Sequence, residues 1–441
     1  MSPTKENMLD FLGLKNVDAL FTDIPPELRV EGLDLPDGLG EAATVRKVSR
    51  ILERNRGMGE LTSFLGGGYY DTYVPSVVDA ILARSEFYTS YTPYQAELSQ
   101  GLLQTLFEFQ SLVCELTGMD AANSSMYDAS TALGEAALMA HRITAKGEIV
   151  VPSLLHEDKK AVLRNYTQGP GIRIREARQD PEDGTLDLDH LGEQVGDDTA
   201  AIYLEMPSFL GQLDEKVAEV RSAFPEPLLI VGVHPLVQAV VRPPGDYGAD
   251  IVVGEGQTLG GWMNFGGPSL GLFACRREHI RKMPGRVIGL THDRRGARAF
   301  TMTLQAREQH IRKGKAMSNI CTNESLLAVG AAVYLAYLGE RGLRRLAIQL
   351  MGRAKELMGY LDGLPGFRAP LFPGPYFNEF PVGHQVPFDA LQERLLARGL
   401  GGGVDLSAAL PRFAPASLFA VTDRHTHEDF RELVNVLEGP K

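Results

Sequence analysis

The sequence predicts an α/β fold, with a large domain on a mostly parallel sheet and a small C-terminal α+β domain. Three observations carry this. Short apolar runs of strand length recur between residues 148 and 274, with helical patterns between several of them; strands buried on both faces of a parallel sheet read this way. Glycine and proline clusters punctuate the runs as turns. Beyond residue 310 the pattern changes to long helices, a proline-rich connection and a single strand candidate. At 441 residues the chain is long enough for two or three domains with ample core.

Residues 1–60 read as helices and loops. Val45, Val48, Ile51 and Leu52 have helical spacing within 41–55. The segment is too small for a domain and reads as an arm lying on another subunit. Residues 61–310 form the large domain. A short helix over 75–83 has proline near its first turn, a long helix over 97–117 ends at Gly118, and an alanine-rich helix spans 127–145. Strands are expected over 148–151, 171–175, 200–204, 228–233, 251–253 and 270–274, and further helices over 156–166, 188–195 and 215–224. Residues 311–441 form the small domain: helices over 324–338 and 340–361, prolines at 365, 370, 373 and 375, a strand over 376–380, and helices over 388–398 and 427–437.

Composition narrows the function. The formal net charge of −12 argues against nucleic acid as a main partner. Cys114, Cys275 and Cys321 are too few and too scattered for a disulfide framework or metal motif, and fit a reducing, cytoplasmic setting. The start of the chain lacks a signal design, and no apolar run reaches the ~18 residues expected of a membrane span. His425-Thr426-His427-Glu428 has metal-ligand composition, but its place reads as a helix start. No metal site is expected.

Five segments could carry chemistry. Gly66-Gly67-Gly68 lets backbone approach a ligand or another chain. Tyr91-Thr92-Pro93-Tyr94-Gln95-Ala96-Glu97 offers flat aromatic area with hydroxyls, suited to an interface or a pocket wall. The hydroxyl-rich loop 123–132, with Ser130 and Thr131, runs into a helix whose free amides attract anions, although plain capping explains the same residues. Residues 257–271, with Gln257 and Thr258, form a tight glycine-rich turn between strands. Met283-Pro284-Gly285-Arg286, residues 301–312 and residues 318–323 gather Arg307, His310 and Asn319 in a weakly periodic region, as fixed polar contacts do.

One absence qualifies all of these. No lysine occurs between Lys216 and Lys282, the stretch holding the 228–233 and 251–253 strands and the glycine-rich turn. No carboxamide or hydroxyl can replace an amine nucleophile.

Together the segments 91–97, 283–286, 304–311 and 318–323 resemble the glycine cleavage system P-protein family. The resemblance runs over essentially the whole chain. It is closest to the N-terminal half of the family, which in many prokaryotes is a separate alpha subunit (subunit 1). It implies a type I pyridoxal-phosphate-dependent transferase-like (aspartate aminotransferase-like) fold. In that fold His234 stands where an aspartate pairs with the cofactor's ring nitrogen, and Gln257-Thr258 stand near the place of the cofactor lysine. Ser130 and Thr131 would mark a vestigial phosphate turn. The resemblance implies no catalytic residue and no covalent cofactor in this chain. Pyridoxal phosphate is expected in the beta subunit (subunit 2), with glycine as substrate and the lipoyl arm of the H protein accepting the methylamine group. Tyr91, Thr92, Tyr94, Arg307, His310 and Asn319 are then expected at the interface with the partner's site. Two other readings stand beside this one: a self-sufficient enzyme using Lys313 or Lys315, and a non-enzymatic homodimeric binding or regulatory protein.

Overall fold

The structure, a computed structural model, describes residues 3–30 and 32–438. The chain divides into two units, Met1–Gly57 and Met58–Lys441. The first contains helices α1 (Pro3–Leu12) and α2 (Glu41–Leu52) joined by short turns. Among its described residues only Leu9 is buried, and the apolar stripe of α2, Val45, Val48 and Ile51, is exposed.

The second unit is built on a seven-stranded sheet of β1 (Ala121–Ala122), β2 (Glu148–Pro152), β3 (Arg173–Ala177), β4 (Thr199–Met206), β5 (Leu228–Val233), β6 (Ile251–Glu255) and β7 (Gly271–Cys275). Its order is β1-β7-β6-β5-β4-β2-β3. Strands β3, β2, β4, β5 and β6 run parallel, while β7 is antiparallel to both neighbours. Every residue of β2 and β4 is buried, so these strands run mostly apolar without alternation, with polar residues only near their ends (Glu148, Thr199 and Glu205).

Helices cover the sheet: α3 (Ser76–Leu82), α4 (Gln100–Thr117), α5 (Ala129–Thr144), α6 (Glu157–Gln168), α7 (Leu188–Gln194) and α8 (Ser325–Asp362). Local chemistry sets their ends. Gly118, at φ +67°, lets α4 stop with a left-handed residue that an L side chain would strain. Asp128 caps α5: its carboxylate accepts from the Thr131 N–H at 2.7 Å, and the Thr131 hydroxyl accepts from the Asp128 N–H at 3.2 Å. Gly339, at φ +61°, breaks α8 into the two segments expected from the sequence. By length and composition α8 could cross a membrane. Its first segment, however, is shorter than the ~20 residues of a span, and it packs Ala328, Val329, Ala331 and Ala332 into the core against α3 and α4.

Two local expectations differ from the structure, and one element was not foreseen. Residues 215–224 form a 3-10 turn, Glu215–Ala218, and a four-residue helix, Val220–Ala223, because Pro225 and Pro227 follow at once. The strand expected over 376–380 lies at Glu379–His384, displaced along the chain after Pro373-Gly374-Pro375. The hairpin β8 (Val287–His292) and β9 (Arg298–Thr303) was not expected; its signal is only the alternation of Phe300 and Met302 inward. The C-terminal part holds a four-stranded antiparallel sheet of β10 (Phe367–Arg368), β11 (Glu379–His384), β12 (Val404–Asp405) and β13 (Ala416–Ala420), in the order β10-β11-β13-β12.

Candidate functional site

The carboxyl ends of parallel strands form the crevice where ligands of this architecture bind. Here β4 delivers Glu205, β5 leads to His234, and β6 ends at Glu255. The start of α5, the Gly67-Gly68 loop and Glu379 at the head of β11 close a cup of about 60 Å³.

The cup is rich in carboxylates that the chain itself engages. Glu205 accepts from the Tyr203 hydroxyl at 2.7 Å and pairs with the Lys159 ammonium of α6. Glu379 accepts from the Gly67 N–H at 2.9 Å and the Tyr70 hydroxyl at 2.8 Å. Burial pushes its pKa up to about 7 even so. A Cβ on Gly66 would lie 2.5 Å from a Glu379 oxygen, so glycine is required there. Glu255 accepts from the Ala129 N–H of α5 at 3.1 Å, the Gln257 N–H at 3.1 Å and the Ser269 hydroxyl. Burial raises its pKa to about 7 as well.

His234 sits between Tyr70 and Phe377, with ring centroids 5.4 and 4.9 Å away. Neither ring nitrogen has a hydrogen-bond partner among the described residues. Burial, and then the Lys159 charge, holds its pKa down to about 3, so the ring is neutral. Gln257 is buried and acts as a staple: its side chain exchanges hydrogen bonds of 3.0 Å with the Tyr70 backbone in both directions and donates to the Gly261 carbonyl at 2.8 Å. Thr258 is buried beside the cup with its hydroxyl unpartnered. Ser130 and Thr131 are half-buried in the first turn of α5, and Thr131 is engaged in the cap.

These residues do not fit pyridoxal phosphate. A neutral imidazole stands at the end of β5 where a ring nitrogen would need an acid, a carboxylate takes the first amide of α5 that a phosphate would need, and Lys159, the cup's ammonium, is tied to Glu205.

A second cluster lies where three of the sequence segments meet. Arg286 is almost wholly buried. It donates to Thr92 Oγ1 at 3.4 Å, Asn323 Oδ1 at 3.3 Å and the Tyr94 hydroxyl at 3.2 Å. Its guanidinium lies 5.4 Å from the Tyr94 ring centroid and 3.8 Å from the Glu308 carboxylate. His310 is 3.7 Å from the same carboxylate and packs edge-on to Tyr94 at 5.8 Å. Asn123 donates to the Pro284 carbonyl at 3.1 Å, and Asn323 to Ser125 Oγ at 2.9 Å, so the 123–125, 283–286 and 318–323 segments lock together.

Arg307 is buried in that lock, donating to the Met283, Gly285 and Leu304 carbonyls. It positions the turn and does not face outward. Asn319 is exposed, and its carbonyl accepts from Gln309 at 3.0 Å. Tyr91 and Tyr94 are 74% and 53% exposed, unusual for aromatics bound to polar partners, and Tyr91 shares a 3.1 Å hydrogen bond with Thr322. A pocket of about 230 Å³ opens beside Tyr94, Glu308 and His310.

Of the residues singled out from sequence, His234 and Thr258 line the cup and Gln257 staples its edge. Thr92, Tyr94 and His310 gather around Arg286 and Glu308. Sequence reasoning did not single out Glu255, Glu205, Lys159, Glu379 or Glu308. Only Glu255 carried a local signal, as an acid closing the apolar run Ile251-Val252-Val253-Gly254.

Comparison with known proteins places the chain. The family model described as glycine cleavage system P-protein matches residues 2–437. A "Probable glycine dehydrogenase (decarboxylating) subunit 1" of Carboxydothermus hydrogenoformans is 45% identical over 437 residues, covering 98% of this chain and 97% of that protein. One of the same description from Thermococcus kodakarensis is 44% identical, covering 99% and 96%. The crystal structure of an inhibitor-bound glycine decarboxylase (P-protein) of the glycine cleavage system superposes with a TM-score of 0.91 at 38% identity, covering 99% of this chain and 98% of that one. A Burkholderia pseudomallei sphingosine-1-phosphate lyase, at 15% identity and a TM-score of 0.63, shares the fold alone. The fold is thus the type I pyridoxal-phosphate-dependent transferase fold, and the chain belongs to the glycine cleavage system P-protein family.

Proposed function

We propose that this chain is subunit 1 of a glycine dehydrogenase (decarboxylating), working with a homologous subunit 2 that holds pyridoxal phosphate. The cofactor would supply the electron sink for loss of the glycine carboxylate. The aminomethyl group would then pass to the lipoyl arm of the H protein. Cytoplasmic placement belongs to the same reading, and Cys114, Cys275 and Cys321 are unpaired thiols.

One observation carries the reading: family likeness spans the chain, yet its own cup is occupied by its own carboxylates while a second polar face stands open. That face would wall the partner's site. Arg286, buried and held by Glu308, is a fixed cation; Tyr94, Tyr91 and His310 are exposed around it and would contact the partner or its substrate. Arg307 and Asn319 would hold the supporting loops. The exposed stripe of α2 would give the N-terminal arm an apolar face to lay on the partner.

The test is a mixing experiment. This chain, a lysine-bearing homologue, and the two together are assayed for exchange of labelled carbon dioxide into glycine. Exchange is expected only in the mixture. Exchange by this chain alone, or by the homologue alone at the full rate, would remove the reading.

A further inference from the structure

Loss of a lysine removes a covalent bond, but it does not by itself remove a phosphate seat. Free amides at a helix start bind phosphate without any lysine. We infer that in this chain Glu255 and Asp128 occupy that seat themselves, so the cup is closed to phosphate monoesters by an internal anion.

Four observations support this. Glu255 Oε2 accepts from the N–H of Ala129, the first residue of α5. Its other oxygen gathers the Gln257 N–H, the Leu270 N–H at 3.4 Å and the Ser269 hydroxyl. A carboxylate that takes the first amide of a helix and gathers three further donors from the turn between β6 and β7 stands in for the oxygens of a bound phosphate. Asp128 adds a second negative charge by accepting from the Thr131 N–H. The room for the rest of a ligand survives next to the seat, where the cup keeps unpartnered polar atoms: Thr258 Oγ1, Ser208 Oγ and both His234 nitrogens. What blocks the site is therefore specific side chains, and those can be changed.

The inference concerns only this chain's cup and is read by binding, so it stands or falls separately from the exchange assay. The full chain is titrated calorimetrically at about pH 8.5, where Glu255, with its pKa raised to about 7, is ionised, with inorganic phosphate, pyridoxal 5′-phosphate and, as a control, pyridoxal. Wild type is expected to show no saturable phosphate binding. Glu255→Ala should gain it. The double variant Asp128→Asn with Glu255→Ala should bind roughly tenfold more tightly again, because Asn caps nearly as well as Asp without the charge. Pyridoxal should show no comparable gain. Near-ultraviolet circular dichroism checks folding, and should the alanine variants not fold, Glu255→Ser carries the same expectation while keeping a hydroxyl for the Ala129 N–H. Saturable phosphate binding by wild type, a folded variant that gains none, or an equal gain for pyridoxal would each overturn the inference.

Discussion

The cup at the strand ends and the wall around Arg286 belong to one compact unit but solve opposite problems. In the cup, Glu205, Glu255 and Glu379 are answered from within by Lys159, backbone amides and hydroxyls, and His234 is kept neutral. Around Arg286 the cation is buried and paired, yet the aromatic groups it holds point outward beside a 230 Å³ opening. A buried charge persists only where partners compensate its desolvation. The cup has partners for its carboxylates within the chain, and they offset burial only in part, as the raised pKa values of Glu255 and Glu379 show. The wall instead commits its partners to presenting Tyr94 and His310 at the opening. On the proposed reading, the first region is closed by the chain's own side chains and the second is kept ordered for the partner subunit.

The comparison breaks most readily at Arg286. Arg286→Ala leaves Glu308 half-enclosed without its cation and is expected to cost about 3–5 kcal/mol of stability, the range for one partner lost from a buried pair. In the mixed subunits carbon dioxide exchange should fall by roughly a hundredfold or more, about 2.7 kcal/mol. Arg286→Lys should recover only part, since an ammonium cannot reach Thr92, Tyr94 and Asn323 together. Full exchange with the alanine variant would remove the wall from the reading.

The cup is sharpened by pH. The folded pKa of Glu379, about 7, lies above the ordinary glutamate value. Its stabilising contribution is therefore complete below about pH 4.5 and is lost as pH rises through about 7. Glu379→Gln should flatten the decline in unfolding free energy between about pH 5 and about pH 8 by on the order of 3 kcal/mol. Parallel profiles for variant and wild type would show that this carboxylate is not the titrating group.

Tyr94→Ala removes a hydroxyl and a ring from Arg286 but no buried charge. Exchange or subunit affinity should fall by about tenfold, roughly 1.4 kcal/mol, with this chain's melting temperature nearly unchanged. Unchanged exchange and unchanged assembly would take the interface role from this tyrosine. His310→Ala is expected to be mildest, about two- to threefold in exchange, because an exposed polar contact of 3.7 Å is worth little. A larger loss would move His310 from the rim to the centre of the wall.

Much of this was legible in the chain. Apolar runs gave the parallel strands, Gly118 and Gly339 marked helix ends, and the segments 91–97, 283–286 and 318–323 pointed to the family and to a shared polar cluster. The lysine-free stretch between Lys216 and Lys282 told that no amine nucleophile is available there, since residue identity alone decides which nucleophiles exist. Sequence could not tell that Glu255 reaches the start of α5, that Lys159 meets Glu205, or that Glu379, more than three hundred residues from Gly67, closes the cup. Nor could it separate Arg307, turned inward onto carbonyls, from Arg286, which carries the wall. Periodicity and turn chemistry act between near neighbours and so can be read along the chain. The burial, pairing and pKa of a charge depend on what the fold brings to it from elsewhere, and only the packed structure decides that.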